Sequence, residues 1–339
     1  MQQQQPQATF IIAAFKAQDT IERAIDSALA QTGVNVEIIV IDDCSPDDTA
    51  SIVDAYTDPR VRLIRLDKNR GPGGARNAGL AAARGDWIVI LDSDDAVSPD
   101  RTARMIARAK ASNAQIVVDN VDVVPLDGPV RRMFDAAHLA ALETLTLPAF
   151  IGSNVLFKSE HNYGYMKPVF QRRLLEEHGL RFDENLPIGE DYLLLASALA
   201  KGGRCAVDPA AGYSYYIRSG SISRVLKLHQ VDAMLAADAA FLKNHRLDAA
   251  SIAAQSERHR SMEDARAFII LVDQIKAGSL SGAVKTAWKN PAAVRHLRMP
   301  IAVRLRRLIA PFTVLQPFGS PPKRMNGTTP GNRPHKSKG

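Results

Sequence analysis

Two acidic clusters in this chain each stand directly after an apolar run. Asp42-Asp43 follows Ile38-Ile39-Val40-Ile41, and Asp92-Ser93-Asp94-Asp95 follows Ile88-Val89-Ile90-Leu91. Short apolar runs of this kind read as buried strands, so both sets of carboxylates fall at strand ends. Carboxylates two residues apart on an extended turn can both approach a hard divalent cation, which takes oxygen ligands and commonly completes its shell with phosphates and water. Taken alone, an acidic turn reads more readily as a solvated turn or a helix cap than as a metal site. Between the two clusters, however, lies Asn69-Arg70-Gly71-Pro72-Gly73-Gly74-Ala75-Arg76-Asn77-Ala78-Gly79, a glycine-rich turn entering a helix. Its glycines permit close backbone approach, and its two arginines offer planar donors suited to phosphate. It has neither the GxGxxG register of a dinucleotide fingerprint nor the Gly-Lys-Ser/Thr ending of a P-loop. A further pair, Glu190-Asp191 after Gly189, opens the leucine-rich stretch Tyr192-Leu193-Leu194-Leu195. Acids are favoured there by the helix dipole, and one of them could serve as a general base.

These residues need a scaffold that brings strand ends together. Residues 9–15 form an apolar run of strand type, followed at helical spacing by Ile21, Ala24, Ile25, Ala28 and Leu29, with Asp19 or Thr20 as candidate cap. The unit recurs as strand 37–41, helix 47–56, strand 61–66, helix 74–84, strand 87–91, helix 99–112 and strand 115–118. Alternation of this size implies an α/β architecture: a Rossmann-like, mainly parallel sheet flanked by helices, with ligands beyond the carboxyl ends of the strands. From residues 125–129, bounded by Pro125 and Pro129, to about residue 222 the pattern is less regular, and this stretch is expected to build the second half of the site. Residues 227–276 are alanine-rich, proline-free and strongly helical, whereas residues 319–339 mix Pro, Gly and Lys and read as a disordered tail.

Composition sets outer bounds. A chain of 339 residues, 46% hydrophobic and 6% aromatic, can bury a substantial core and has the length of roughly two domains. Cys44 and Cys205 lie far apart without CxxC spacing, which argues against a disulfide framework or a zinc site and for a reducing compartment. The start of the chain, Met1 followed by four glutamines, lacks a basic n-region, and no run approaches the roughly 18 apolar residues of a spanning helix. A cytoplasmic location is expected. The net charge of +7 favours an anionic partner.

The ordered series of residues 9–15, 38–45, 69–79, 91–95 and 189–191 resembles family 2 glycosyltransferases of the GT-A fold, over about the first 225 residues. In length and order of motifs the similarity is nearest to bacterial exopolysaccharide glucosyltransferases of the succinoglycan type. The resemblance implies an inverting transfer of one hexose, glucose by this likeness, from a UDP-sugar. It implies that Ala14 and Phe15 touch the nucleoside, that Asp43 pairs with the base, and that Arg76, Asp92 and Ser93 help hold the nucleotide. Asp94, with Asp92, would bind Mn²⁺ or Mg²⁺, and Asp191 would be the general base. Glu190, Arg218 and Ser221 would serve the acceptor or a closing lid, with Glu190 the alternative base. Tyr213, Tyr215 and Tyr216 belong either to that lid or to a core strand. The family's usual proline, tyrosine and asparagine after the first strand are replaced by Ala13-Ala14-Phe15-Lys16. The Gln-x-x-Arg-Trp motif and spanning helices of the processive branch are not seen, which points to a single addition. The implied organisation is a catalytic domain over 1–225, with a nucleotide-sugar half at 1–124 and an acceptor half at 125–225, then a helical extension at 226–280.

Residues 283–312 hold Lys285, Lys289, Arg295, Arg298, Arg304, Arg306 and Arg307 and no acid. Ile301, Leu305, Leu308, Ile309 and Phe312 share one helical face, with Arg306 and Arg307 opposite, although Pro300 and Pro311 divide the run. Residues 281–318 are therefore expected to form a basic amphipathic segment suited to an anionic membrane surface, or else a helix packed on the core with solvated arginines. Membrane contact would suit an acceptor on a polyprenyl diphosphate lipid, reached from the cytoplasmic face of a bacterial inner membrane. A nucleic-acid partner is not expected, because no aromatic platform interleaves the basic residues. A noncatalytic lipid-surface adaptor on a degenerate nucleotide-binding fold would be indifferent to metal and UDP-sugar.

Overall fold

The computed structural model describes residues 5–158, 161–218 and 226–296. The chain forms two compact units, Met1–Ala293 and Val294–Gly339, and of the second only residues 294–296 are among those described. Ser221, most of the segment 281–318 and the tail 319–339 lie outside the described residues.

Four apolar runs become the parallel strands β1 (Ala8–Ala14), β2 (Val36–Asp42), β3 (Val61–Arg65) and β4 (Trp87–Ile90), side by side in the order β3-β2-β1-β4. Every residue of β2 is buried, as a strand covered on both faces requires. The crossovers are α1 (Ile21–Leu29), α2 (Thr49–Asp54) and α3 (Gly71–Ala82). α1 buries Ile21, Ala24, Ile25 and Ala28, the stripe its spacing predicts. α3 sits close on the sheet because Gly79 has no side chain: a Cβ there would lie 2.5 Å from Ile11 Cγ2 and 2.8 Å from Ile41 Cδ1. This helix begins at Gly71, ahead of the expected Gly74, since Pro72 at its start needs no N–H partner.

Beyond β4 come β5 (Ala96–Val97), α4 (Arg101–Ser112), β6 (Ile116–Val124), β7 (Arg131–Arg132), α5 (Ala136–Ala141), α6 (Leu147–Ser153), β8 (Val169–Gln171), α7 (Arg172–Glu177), α8 (Glu190–Ala200) and β9 (Cys205–Tyr216). They extend the sheet as β4-β8-β6-β9-β5, with β8 antiparallel to both neighbours and β9 parallel to β6. Most paired residues are in parallel ladders, so the sheet is mainly parallel, as the alternation predicts. The stretch that looks irregular in sequence is thus largely ordered. Five of its elements, β7, α5, α6, β8 and α7, have seven residues or fewer, and the β6/β9 register shifts between Asp119 and Val121, which hides the two-residue period.

The run 227–276 is two helices, α9 (Leu228–Asn244) and α10 (Ala249–Lys276), followed by α11 (Leu280–Lys289). Asp248 starts α10 by accepting the Ser251 N–H at 2.7 Å. Arg258 of α10 donates to Asp238 of α9 and to the Asn154 carbonyl, both at 2.9 Å, and stacks on the Tyr192 ring beside the acidic pair of α8. The helical hairpin is thereby fastened to the helix that carries Glu190 and Asp191. Among the described residues no helix is long and apolar enough to cross a membrane.

Candidate active site

Asp92, Glu190 and Asp191 converge at the carboxyl end of the sheet, held by two cations. Arg76, on α3, donates to Asp92 Oδ1 at 2.7 Å and to Asp191 Oδ1 at 2.8 Å, and also pairs with Glu190. Lys167, just before β8, lies 2.8 Å from Asp92 Oδ2 and 2.9 Å from Asp191 Oδ2. The Arg76 side chain is only 8% exposed, and its guanidinium lies near the Phe182 ring. Gly189, at φ +86° before the first turn of α8, adopts the left-handed conformation that lets the chain enter the helix with both acids on the cluster.

The electrostatics follow from this arrangement. Burial works to raise the Asp92 pKa, but the charges of Lys167 and Arg76 overcome it and hold the carboxylate well below its usual range. Burial works to lower the Lys167 pKa, but Asp191 and Asp92 raise it well above its ordinary value. Glu190 is raised, first by burial and then by the charge of Asp191, with Arg76 opposing. Lys167 is itself placed from below. The Arg101–Asp119 pair is fully buried, with Arg101 Nη2 2.8 Å from Asp119 Oδ1, and the same nitrogen donates to the Lys167 carbonyl at 2.7 Å.

Asp94 stands differently from Asp92. It remains substantially exposed, with Arg218 Nη1 3.7 Å from Oδ2, and its pKa is raised by burial and by the Asp92 charge. Asp95 turns inward and accepts from Tyr213 Oη at 2.7 Å and from the Tyr216 N–H at 2.9 Å. Burial, then Asp92 and Asp94, push its pKa up to about 8. Tyr213 is therefore a core residue of β9 whose hydroxyl also receives the Asp92 N–H, so it shapes the acidic turn. Among the described residues, no group of three or more His, Cys, Asp or Glu could hold a metal alone. Asp94 nevertheless fits a divalent cation: it is an open oxygen donor in a locally negative turn, with room for phosphate and water ligands. Asp92 fits less well, since each of its oxygens is already engaged by a cation.

Asp43 is buried at the end of β2. Its carboxylate accepts the Arg70 N–H at 2.7 Å, its own N–H donates to the Ala14 carbonyl at 2.9 Å, and burial chiefly raises its pKa. Ala14 is buried, whereas Phe15 is exposed beyond the end of β1. The next residue, Lys16, and Cys44 after Asp43 both have left-handed φ, of 53° and 60°, at adjacent strand ends. Ser93 lies partly buried in the acidic turn. A separate cavity of about 650 Å³ near Asn35, Arg60, Arg84 and Arg172, at the amino end of β2, shares no residue with this cluster.

The structure thus gathers Arg76, Asp92, Asp94, Glu190, Asp191 and Arg218 into one region. It directs Arg76 at carboxylates, a contact that composition does not foretell. Sequence reasoning overlooks Lys167, the Asp95–Tyr213 bond and the Arg101–Asp119 pair. Lys167 is a lone lysine before Pro168 and a three-residue strand, with no motif around it to draw notice.

The mainly parallel sheet, the acidic strand-end turn, the glycine-rich helix start and the acidic pair on a later helix agree with the GT-A fold that the motif series resembles. Residues 9–177 match the signature of Glycosyl transferase family 2. The succinoglycan biosynthesis protein ExoO of Rhizobium meliloti is 64% identical over 307 residues, covering 91% of this chain and 88% of that protein. The Escherichia coli UDP-Glc:alpha-D-GlcNAc-diphosphoundecaprenol beta-1,3-glucosyltransferase WfgD is 28% identical over 59% of this chain and 72% of its own. The fold is shared with Staphylococcus aureus TarS 1–349, solved in complex with UDP-GlcNAc, at a TM-score of 0.59 and 19% identity, over 84% of this chain and 91% of that one. This chain belongs to glycosyltransferase family 2.

Proposed function

We propose that this chain is an inverting glycosyltransferase that moves one glucose from UDP-glucose to a saccharide carried on a polyprenyl diphosphate lipid, in assembly of a bacterial exopolysaccharide. The observation that carries the reading is the wiring of Asp191 to the donor-side turn: Arg76 and Lys167 each contact both Asp191 and Asp92. A base and a leaving-group site built on one rigid charge network keep a fixed separation, which inversion requires. The similarity to ExoO supports an exopolysaccharide product, and the name of the E. coli relative supports a UDP-glucose donor and a diphosphoundecaprenol acceptor.

In this reading Asp43, Ala14 and Phe15 receive the nucleoside, and Ser93 lies beside the diphosphate. Asp94, with Asp92 at its flank, holds Mn²⁺ or Mg²⁺; when bound, the ion offsets charge developing on the departing UDP. Asp191 takes the proton from the acceptor hydroxyl as that oxygen attacks the anomeric carbon from the face opposite UDP. Each of its oxygens accepts one hydrogen bond from Arg76 or Lys167, which fixes the orientation of the carboxylate. Glu190 holds Arg76 in place, and Arg218 serves the acceptor or a lid over the donor. Residues 1–124 serve the nucleotide sugar, 125–225 the acceptor, 226–280 brace α8, and 281–318 meet the cytoplasmic face of the membrane.

A thermal-shift panel of UDP-, GDP- and dTDP-sugars with and without Mn²⁺ tests the reading, because a ligand bound to the native state raises its melting temperature. UDP-glucose with Mn²⁺ is expected to give the largest shift, and Asp94→Ala to remove the part that depends on Mn²⁺. Equal shifts for all donors, or none, would overturn the donor assignment.

A further inference from the structure

Along α11, Leu280, Val284 and Trp288 recur every four residues and are 75%, 68% and 87% exposed. The opposite side of the helix is fastened to α10: Ala283 is buried, and the Thr286 hydroxyl donates to Gln274 Oε1 at 2.8 Å. Ile275, in the last turn of α10, is exposed as well. An indole and three branched aliphatics left in water along one stretch mark an interaction surface rather than scattered surface apolars.

Charge identifies the occupant. Lys285 and Lys289 are exposed along the same stretch, and Lys276 pairs with Asp273 in the last turn of α10. From Gln274 to the end the chain has thirteen Lys and Arg and no Asp or Glu, whereas the preceding residues hold 30 Lys and Arg against 36 acids. A second copy of this face would bring cations against cations. The chain's own segment 301–312, with Arg304, Arg306 and Arg307 and no acid, would do the same. We propose that the exposed face of α11 docks on an anionic phospholipid bilayer, with Leu280, Val284 and Trp288 entering the headgroup–acyl boundary and Lys285 and Lys289 at the phosphates. The contact rests on and deepens the membrane reading of residues 281–318, placing it on α11, ahead of the residue 301–312 stripe that the sequence singles out. Its purpose rests on the reading of a lipid-linked acceptor, because docking holds the enzyme where that acceptor lies.

The full chain supplies its own probe. Of its two tryptophans, Trp87 is 7% exposed in the core, so any vesicle-induced change in emission reports Trp288. Vesicles containing phosphatidylglycerol are expected to bind the protein and shift its emission to the blue, while pure phosphatidylcholine vesicles do neither. In co-sedimentation, Lys285→Gln and Lys289→Gln should each weaken partitioning about fivefold, from about 1 kcal/mol per cation at an anionic surface. Val284→Ser with Trp288→Ser should weaken it by about tenfold or more through lost apolar burial. Circular dichroism and activity on a soluble acceptor should be unchanged in all of these variants, since none touches the core or the acidic cluster. Vesicle binding without a change in Trp288 emission, undiminished binding of the serine double variant, or a dimer that this variant dissolves would overturn the proposal. None of these measurements uses a donor sugar, so their failure leaves the transfer reaction standing.

Discussion

Arg76→Met removes a buried charge, leaving Glu190 without its cation and Asp92 and Asp191 with the Lys167 ammonium alone. Breaking a buried ion pair from one side costs about 3–5 kcal/mol. The guanidinium and Glu190 side chains are each 8% exposed, but Asp92 and Asp191 keep 24% and 23% of their side-chain surface in water. That screening places the expected cost near the lower end, about 3 kcal/mol, or a fall in melting temperature of about 5 °C for a unit of this size. Glu190 sets the pH dependence. Burial and then Asp191 already raise its pKa, with Arg76 opposing, so the variant's folded state holds a proton on Glu190 still more readily. A carboxyl whose folded pKa exceeds its unfolded value of about 4.3 costs stability progressively as pH rises through that window. The deficit of Arg76→Met relative to wild type is therefore smaller at pH 5 than at pH 8. Thermal melts without donor across that range measure it directly. A variant that melts with wild type and loses only UDP-sugar affinity would make Arg76 a nucleotide ligand and refute the reasoning, as would a deficit that grows toward pH 5.

Asp191→Asn keeps the size of the side chain but cannot take the acceptor proton. Transfer should drop by about 10²–10⁴-fold while calorimetry finds UDP affinity nearly unchanged. Asp119→Ala strands Arg101 in a fully buried position; unfolding in urea should register a loss of about 3–5 kcal/mol. Because Arg101 also holds the Lys167 carbonyl, the turnover of any Asp119→Ala protein that remains folded should fall as well. Gly79→Ala forces a methyl against Ile11 and Ile41 and should cost about 1–3 kcal/mol, read from the same denaturation experiment.

The sequence by itself determined the left half of the sheet and the location of its chemistry. Apolar runs of four to seven residues bounded by polar turns are too short for helices and fit strands buried on both faces, and a parallel sheet so built presents its loops, here Asp43, the glycine-rich turn and Asp92 to Asp95, at one edge. The amphipathic period of α1 and the proline-free run 227–276 are equally local signals, although the break between α9 and α10 at residues 245–248 is not evident in them. Only the tertiary structure decided what each charge does. Arg76 and Lys167 are 91 positions apart in sequence, and neither the pairing of each with Asp92 and Asp191 nor the turning of Asp95 toward Tyr213 has a local period to announce it. Such contacts arise from burial: once carboxylates leave water they need partners, and the fold alone determines which cations are within reach.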